Sequence, residues 1–132
     1  MKTKLVLLII AGAMVSGVVA YAHHSFAALY DEKATVKVEG KMVQFSFRSP
    51  HSFVAVEGPD EKGQMQRWAV TWASPAQLAR AGVTRDFFKA GETVIITGNP
   101  GRNPDDHLVR MVTLVRPFDG FRWGGREGEV VD

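Results

Sequence analysis

The residues best suited to bind a metal are histidines, and two of them stand together where the chain is expected to be cut. His23 and His24 follow the stretch Ala20-Tyr21-Ala22, whose small residues are typical of a signal-peptidase site. Cleavage after Ala22 would leave His23 as the N-terminal residue, with a free α-amine beside two imidazoles. That amine and the Nδ1 atom of the same residue can chelate a metal, and nitrogen ligands of this kind suit copper(II).

One further imidazole would complete a site with three nitrogen ligands, and the remaining histidines are His24, His51 and His107. We favour His51, because it opens the second predicted strand beside a loop that borders the binding face in OB-folds. His107 follows a long turn and is the second choice. Alternatively, His51 only hydrogen-bonds the turn before it, His107 is solvated, and the His-His terminus binds copper or nickel adventitiously.

Residues 1–22 have the parts of a cleaved export signal. Lys2 and Lys4 form a positively charged start, and the apolar stretch 5–19 has the length typical of secretory signals. A membrane-spanning helix needs about 20 apolar residues, so this stretch is too short to predict a membrane anchor. A lipid-modified lipoprotein is excluded, since the chain has no cysteine. We expect a periplasmic or secreted protein that contacts the membrane only through an uncleaved signal segment.

Removing the signal leaves a chain with no net charge. The full sequence has 16 Lys and Arg against 14 Asp and Glu, and the signal takes away two lysines, which leaves 14 against 14. Nucleic-acid binding calls for a clearly positive domain, so no nucleic-acid partner is expected. The lack of cysteine also excludes thiolate catalysis and cysteine-ligated zinc.

Alternating apolar residues predict five strands, followed by a Gly-rich tail. We place the strands at residues 35–48, 51–57, 65–72, 93–97 and 108–115, with a long turn at 98–106. The apolar residues of the first strand stand at even positions before Gly40 and at odd positions after it. A change of this kind indicates a bulge or a sharp bend at Gly40. The tail lacks periodicity, although at least one of Phe118, Phe121 and Trp123 is expected to dock on the domain.

A short helix is predicted between the third and fourth strands, because Ser74, Pro75 and Gln77 are typical of a helix start. Three strands, a helix and two strands is the element order of the OB-fold. We therefore predict a mainly β fold, a small five-stranded OB-like Greek-key barrel with one short helix. The expected organisation is a signal peptide at 1–22, a lead at 23–33, the barrel domain at 34–116 and the tail at 117–132.

A second hypothesis is a module that binds a small ligand, a saccharide or a protein partner on its barrel face, without a metal. Its candidate contact residues are Arg48, Phe53, Trp68 and Trp72. Aromatic residues at strand spacing are also the ordinary filling of a small barrel. The hypothesis therefore requires that Trp68 or Trp72 be partly exposed beside Arg48.

No motif of the chain predicts an enzyme. The sequence has no nucleophile elbow, no Walker loop and no HExxH helix. The acidic pair Asp105-Asp106 lies in a predicted turn, where solvation explains it. A histidine chelate at the N-terminus does not by itself imply oxygen chemistry, so we expect a binding protein without catalytic activity.

Several short motifs resemble a family of small exported bacterial proteins of unknown function. They are Ala22-His23-His24-Ser25-Phe26, Ser49-Pro50-His51, Trp68-Ala69-Val70 followed by Ser74-Pro75, and Lys89-Ala90-Gly91-Glu92. The resemblance covers nearly the whole mature chain up to about Val115. The family typically has asparagine where this chain has Ser49, and often glutamate where it has Thr71. The resemblance implies export and the fold, and it implies no mechanism.

Overall fold

The computed structural model describes residues 25–125, which fold into strands joined by short connections. The strands are β1 (Val36–Ser46), β2 (Phe53–Pro59), β3 (Met65–Thr71), β4 (Thr93–Pro100), β5 (Leu108–Arg116) and β6 (Phe121–Gly124). Residues 25–29 are helical, a short helix spans Pro75–Arg80, and a 3₁₀ turn spans Pro104–Asp106. Within residues 25–125, no helix has the length and apolar character needed to cross a membrane.

Strands β1 to β5 form a closed barrel. β1 pairs antiparallel with β2 and β4, β2 with β3, and β4 with β5. A parallel pairing of β3 with β5, which matches Ala69 with Leu108 and Thr71 with Arg110, closes the barrel. β6 pairs with the end of β5 and lies outside it. The predicted small OB-like β-barrel is therefore confirmed.

The bend of β1 lies at a different residue from the one predicted. The alternation that points Val38 and Met42 into the barrel continues through Gly40, and the register with β2 shifts only between Met42 and Gln44. The extra residue of the bulge is Val43, so the expected parity change at Gly40 is wrong. Gly40 is needed for another reason, because a Cβ atom at this position would overlap the carbonyl oxygen of Glu57 on β2.

The helix start is confirmed by its hydrogen bonds. Ser74 Oγ accepts from the Gln77 amide at 3.3 Å, and Gln77 Oε1 accepts from the Ser74 amide at 3.2 Å, which together form a capping box. Pro75 occupies the first helical turn, where its missing N–H is not needed. Leu78 is the buried residue of this helix and fastens it to the barrel.

Two other element boundaries differ from those predicted. β4 continues to Pro100 instead of ending at residue 97. The register with β5 shifts between Thr97 and Gly98, but the two strands remain paired after the shift. The stretch expected to be an aperiodic tail contains β6. Four residues are too few to show an alternation in the sequence, but Trp123 docks on Trp72 with ring centres 5.4 Å apart, as one of the tail aromatics was expected to do.

The barrel interior is filled by aliphatic and aromatic side chains, without any disulfide to assist it. Removing such side chains from water is the main favourable term in folding. The buried cluster consists of Val38, Met42, Val54, Val56, Trp68, Val70, Trp72, Leu78, Val83, Phe88, Val94, Ile96, Val109, Met111 and Leu114.

One arginine fastens β6 and the segment before β4 to the end of β5. The buried Arg116 guanidinium donates to both carboxylate oxygens of Asp119 at 3.1 and 2.8 Å, and to Glu92 Oε2 at 3.2 Å. It also donates to the Phe87 carbonyl at 2.7 Å. Its central carbon lies between 4.4 and 5.8 Å from the ring centres of Phe87, Phe88, Phe118 and Phe121.

Removing the Arg116 guanidinium should strongly destabilise the fold. Arg116→Ala leaves the Glu92 carboxylate partly buried without its cation, and we expect the free energy of unfolding to fall by about 3 kcal/mol. The exposed pair of Arg67 and Glu57, with nitrogen and oxygen 3.4 Å apart, supplies the control. Arg67→Ala should change stability by no more than about 0.5 kcal/mol. Urea unfolding measures both, and equal effects would contradict the prediction.

The stability of the β5–β6 turn should depend on acid pH. Hydrogen bonds from Arg116 lower the pKa of Asp119 below its ordinary value. A carboxyl group with a lowered folded-state pKa stabilises the protein above its unfolded pKa of about 3.9 and loses this effect as the pH falls through the folded value. Asp119→Asn should thus be less stable than wild type at pH 7, and urea unfolding should show the difference shrinking in acid. A difference that stays constant down to pH 3 would contradict this expectation.

Candidate functional site

Residues 25–34, called the N-terminal strap below, run along the outside of the barrel and are fixed to the end of β4 and to the connection between β4 and β5. Arg102 Nε donates to the Ala27 carbonyl at 2.8 Å. The Asp31 amide donates to the Pro100 carbonyl at 2.9 Å. The start of the described chain is therefore held against a connection that lies about 70 residues further along the sequence.

Tyr30 holds the strap on the outer face of β3. Its side chain is buried, and its hydroxyl lies 2.8 Å from Thr71 Oγ1. Successive side chains of a strand point to opposite faces, and Val70 belongs to the barrel core, so Thr71 faces outward. The strap therefore covers part of the face formed by β2 and β3, which OB-folds use for binding.

His51 lies in the β1–β2 connection and contacts the strap. The rings of His51 and Phe26 have their centres 5.3 Å apart and meet edge to face at 73°. The Arg110 guanidinium lies over the same phenylalanine, 4.6 Å from the ring centre, and Arg110 Nη1 donates to Glu32 Oε1 at 2.9 Å. Phe26 is thus in contact with both the candidate ligand His51 and a cation of β5.

His23 and His24 lie outside the described residues. Within residues 25–125, no three His, Cys, Asp or Glu side chains come together in a group that could hold a metal ion. The predicted site of His23 and His51 therefore includes a residue outside the described part of the chain.

His107 is placed in a different environment from His51. It follows the 3₁₀ turn in a left-handed backbone conformation, with φ of 48°, and its ring meets the Trp68 ring edge to face at 5.1 Å. It lines a cleft of about 540 Å³ between the β2–β3 turn and the β4–β5 connection. Asp60 lines the same cleft, and hydrogen bonds from Gln64 and Gln66, with a smaller contribution from the charge of His107, lower its pKa.

The two tryptophans proposed as ligand contacts lie inside the barrel. Trp68 is 7% exposed and donates through Nε1 to the Gly58 carbonyl at 3.1 Å, and Trp72 is 3% exposed among Phe45, Phe88 and Trp123. The expected exposure of either one beside Arg48 is wrong. The physical reason is barrel closure, which turns the face of β3 that carries both tryptophans inward.

Arg48 and Phe53 lie together on the outside. The Arg48 guanidinium is exposed and lies 4.8 Å from the Phe53 ring centre. Phe53 pairs with Thr71 on β3, so it shares the outer face with the strap. The structure therefore brings these two predicted residues together, and separates both from Trp68 and Trp72.

The strap contacts of Phe26 and Tyr30 were missed by reasoning from the sequence. These residues are four apart, the spacing that puts two side chains on the same face of a helical turn. The rings of this pair have their centres 6.1 Å apart. This spacing could have indicated that the segment before the first strand packs on the domain and is not a plain polar lead.

Comparisons with known proteins give one family match. A model of a family of unknown function, DUF6152, matches residues 12–110, a range that contains all four histidines. No curated protein matches the chain. Among solved structures, the N-terminal domain of the PriB protein from Thermoanaerobacter tencongensis is similar, at 19% sequence identity and a TM-score of 0.38. That alignment covers 63% of this chain and 94% of the other.

The bond between Tyr30 and Thr71 should contribute measurably to stability. Tyr30→Phe leaves the Thr71 hydroxyl without this partner, and we expect the free energy of unfolding to fall by about 1–2 kcal/mol. Thr71→Val should have a similar effect, and the double variant should lose less than the sum of the two. Urea unfolding of the four proteins tests this. Strictly additive losses would show that the hydrogen bond does not stabilise the strap.

Proposed function

The chain belongs to the family of unknown function DUF6152, and we propose that it is an exported protein that binds copper(II) through His23 and His51 after its signal peptide is removed. The binding would be non-catalytic. Residues 1–22 support the export step, because they combine a positively charged start, an apolar stretch and a small-residue cleavage site. The mature protein would act in the periplasm or outside the cell.

The observation that supports this proposal most is the contact of His51 with Phe26. The ring centres are 5.3 Å apart, and Phe26 is only three residues from His23. Three residues of extended chain span at most about 11 Å. The covalent chain is therefore short enough for His23 to reach His51 in the proposed site.

The three donors suit copper better than other common divalent metals. His23 would supply its α-amine and Nδ1, and His51 would supply one ring nitrogen. Nitrogen ligands in a planar arrangement are typical of copper(II), which also has the highest affinity of the divalent first-row series. His24 is an alternative donor within the same chelating terminus.

His107 is the weaker candidate for the distant ligand. Its ring packs on Trp68 at the cleft, whereas the ring of His51 contacts Phe26, which is three residues from His23 in the sequence. His107 therefore serves as the matched control for His51, since both are histidines in connections between strands.

Binding of a small ligand, a saccharide or a protein on the barrel face is the competing proposal. Arg48 and Phe53 are available on the outer face, but Tyr30 of the strap is already packed on Thr71 beside them. A ligand would have to share this face with the strap, which makes the competing proposal the weaker of the two. The copper experiment below distinguishes the two proposals.

Copper(II) titration of secreted protein tests the proposed site. The N-terminus should first be confirmed as His23 by mass spectrometry, and affinity should be measured by competition with a chelator. We expect one copper per chain, and a loss of at least about tenfold in affinity for His51→Ala and for a protein with one extra N-terminal residue. His107→Ala should bind like wild type.

Two results would contradict the proposal. Copper binding that is unchanged in His51→Ala would reduce the site to a local chelate at the terminus. A wild-type protein that binds no copper would reject the metal and leave a barrel-face module that uses Arg48 and Phe53 without the two buried tryptophans.

A further inference from the structure

The cleft that His107 lines is large enough for a small molecule. It lies between the strap, the β2–β3 turn and the connection between β4 and β5, and its volume is about 540 Å³. Small-molecule sites typically have roughly 300–1,000 Å³. His51, Arg48 and Phe53 are not among the residues that line the cleft. It is therefore separate from these candidate residues.

The walls of the cleft are fixed by hydrogen bonds within the protein. Two such bonds fasten the strap to the end of β4 and to the β4–β5 connection. In the β2–β3 turn, Asp60 Oδ1 accepts from the amides of Lys62 and Gln64 at 2.9 Å each. A site with walls that are already ordered loses less conformational entropy when a ligand binds.

One wall combines apolar side chains with a histidine in an unusual backbone conformation. Among residues 25–125, His107 is the one non-glycine residue with a positive φ, and this conformation is uncommon for residues with a Cβ atom. Its ring meets the ring of Trp68 edge to face at 5.1 Å, and Leu108 follows it in the lining. The C–H face of a sugar ring can pack on apolar surface of this kind.

Several polar groups of the lining are free to bind a ligand. Within the described part of the chain, the Asp105 carboxylate, the His107 ring nitrogens and the Arg102 Nη atoms make no hydrogen bond. A carboxylate can only accept hydrogen bonds, and a guanidinium can only donate them. A ligand rich in hydroxyl groups can satisfy both, because each hydroxyl is a donor and an acceptor.

The charges of the lining disfavour an anionic ligand. Four carboxylates and two basic side chains line the cleft, namely Asp31, Asp60, Glu61, Asp105, Lys62 and Arg102. Nucleic-acid binding depends on basic groups that neutralise phosphates. OB-folds bind oligonucleotides and oligosaccharides, and one of the loops they use joins the fourth and fifth strands. Of these two ligand classes, the charges favour the neutral one.

We propose that this cleft binds a short neutral saccharide. Asp105 accepts hydrogen bonds from its hydroxyl groups, Arg102 donates to them, and Leu108 packs against a C–H face of the sugar. The carboxylates do not form a metal site instead, since no three His, Cys, Asp or Glu side chains of residues 25–125 come together in a suitable group. The inference does not depend on the proposed copper site.

NMR titration of the secreted protein with four neutral disaccharides tests the site. The probes are maltose, cellobiose, lactose and N,N′-diacetylchitobiose. At least one of them should shift the amide resonances of the β4–β5 connection and the indole resonance of Trp68 in a saturable manner. The affinity should not change with added salt, because the ligand carries no charge. Oligothymidylate, an anionic probe, should leave these resonances unchanged.

Variants of the lining identify the contact residues. Asp105→Ala and His107→Ala should each weaken saccharide binding by about tenfold, the effect of losing one hydrogen bond in a binding site. Asp86→Ala is the matched control, because Asp86 is exposed and does not line the cleft. It should bind the saccharide like wild type, and so should His51→Ala. Circular dichroism confirms that each variant is folded.

The outcomes separate this inference from the proposed function. The inference is wrong if none of the four saccharides shifts the cleft resonances, if oligothymidylate shifts them, or if Asp86→Ala weakens binding as much as Asp105→Ala does. These results leave the copper site standing, because His51→Ala tests that site with copper. A protein that binds no copper, but whose cleft resonances shift with a saccharide, keeps this inference and loses the proposed function.

Discussion

Closure of the sheet by the parallel pairing of β3 with β5 determines which side chains of these two strands point into the barrel. Three matched residue pairs, from Ala69 with Leu108 to Thr71 with Arg110, divide the strands into an inward and an outward face. The inward face carries Trp68 and Trp72, which are 7% and 3% exposed. The outward face carries Thr71 and Arg110, which are matched residues on the paired strands β3 and β5, and the strap contacts both of them.

A small barrel without disulfides must hold its peripheral segments by side-chain contacts. Arg116 does this at one end, where a buried guanidinium joins Glu92, Asp119 and the Phe87 carbonyl inside a group of phenylalanine rings. Tyr30 does it on the outer face through a single buried hydroxyl pair. In both cases a polar group is buried with its partner, which avoids the cost of an unmatched polar atom. The strap and β6 are therefore packed parts of the folded domain.

Local sequence signals predicted the elements well, and failed where distant residues decide the outcome. The capping box at Ser74 and the alternation of β3 depend on neighbours within a few residues, so the helix and the strand were predicted close to their observed positions. The bulge at Val43 depends on the register with β2, which alternation in one strand cannot supply. Burial of both tryptophans depends on closure, and the contact of Phe26 with His51 depends on where two separate connections meet.

The strap has a consequence for the order of folding. Its anchors join Ala27 to Arg102 and Glu32 to Arg110, residues separated by 75 and 78 positions in the chain. Contacts between such distant residues form late, because a large loop must close before they can contribute. The strap can dock only after the β4–β5 connection exists, so residues 25–34 stay accessible to proteases until the barrel is almost complete. Docking then protects them.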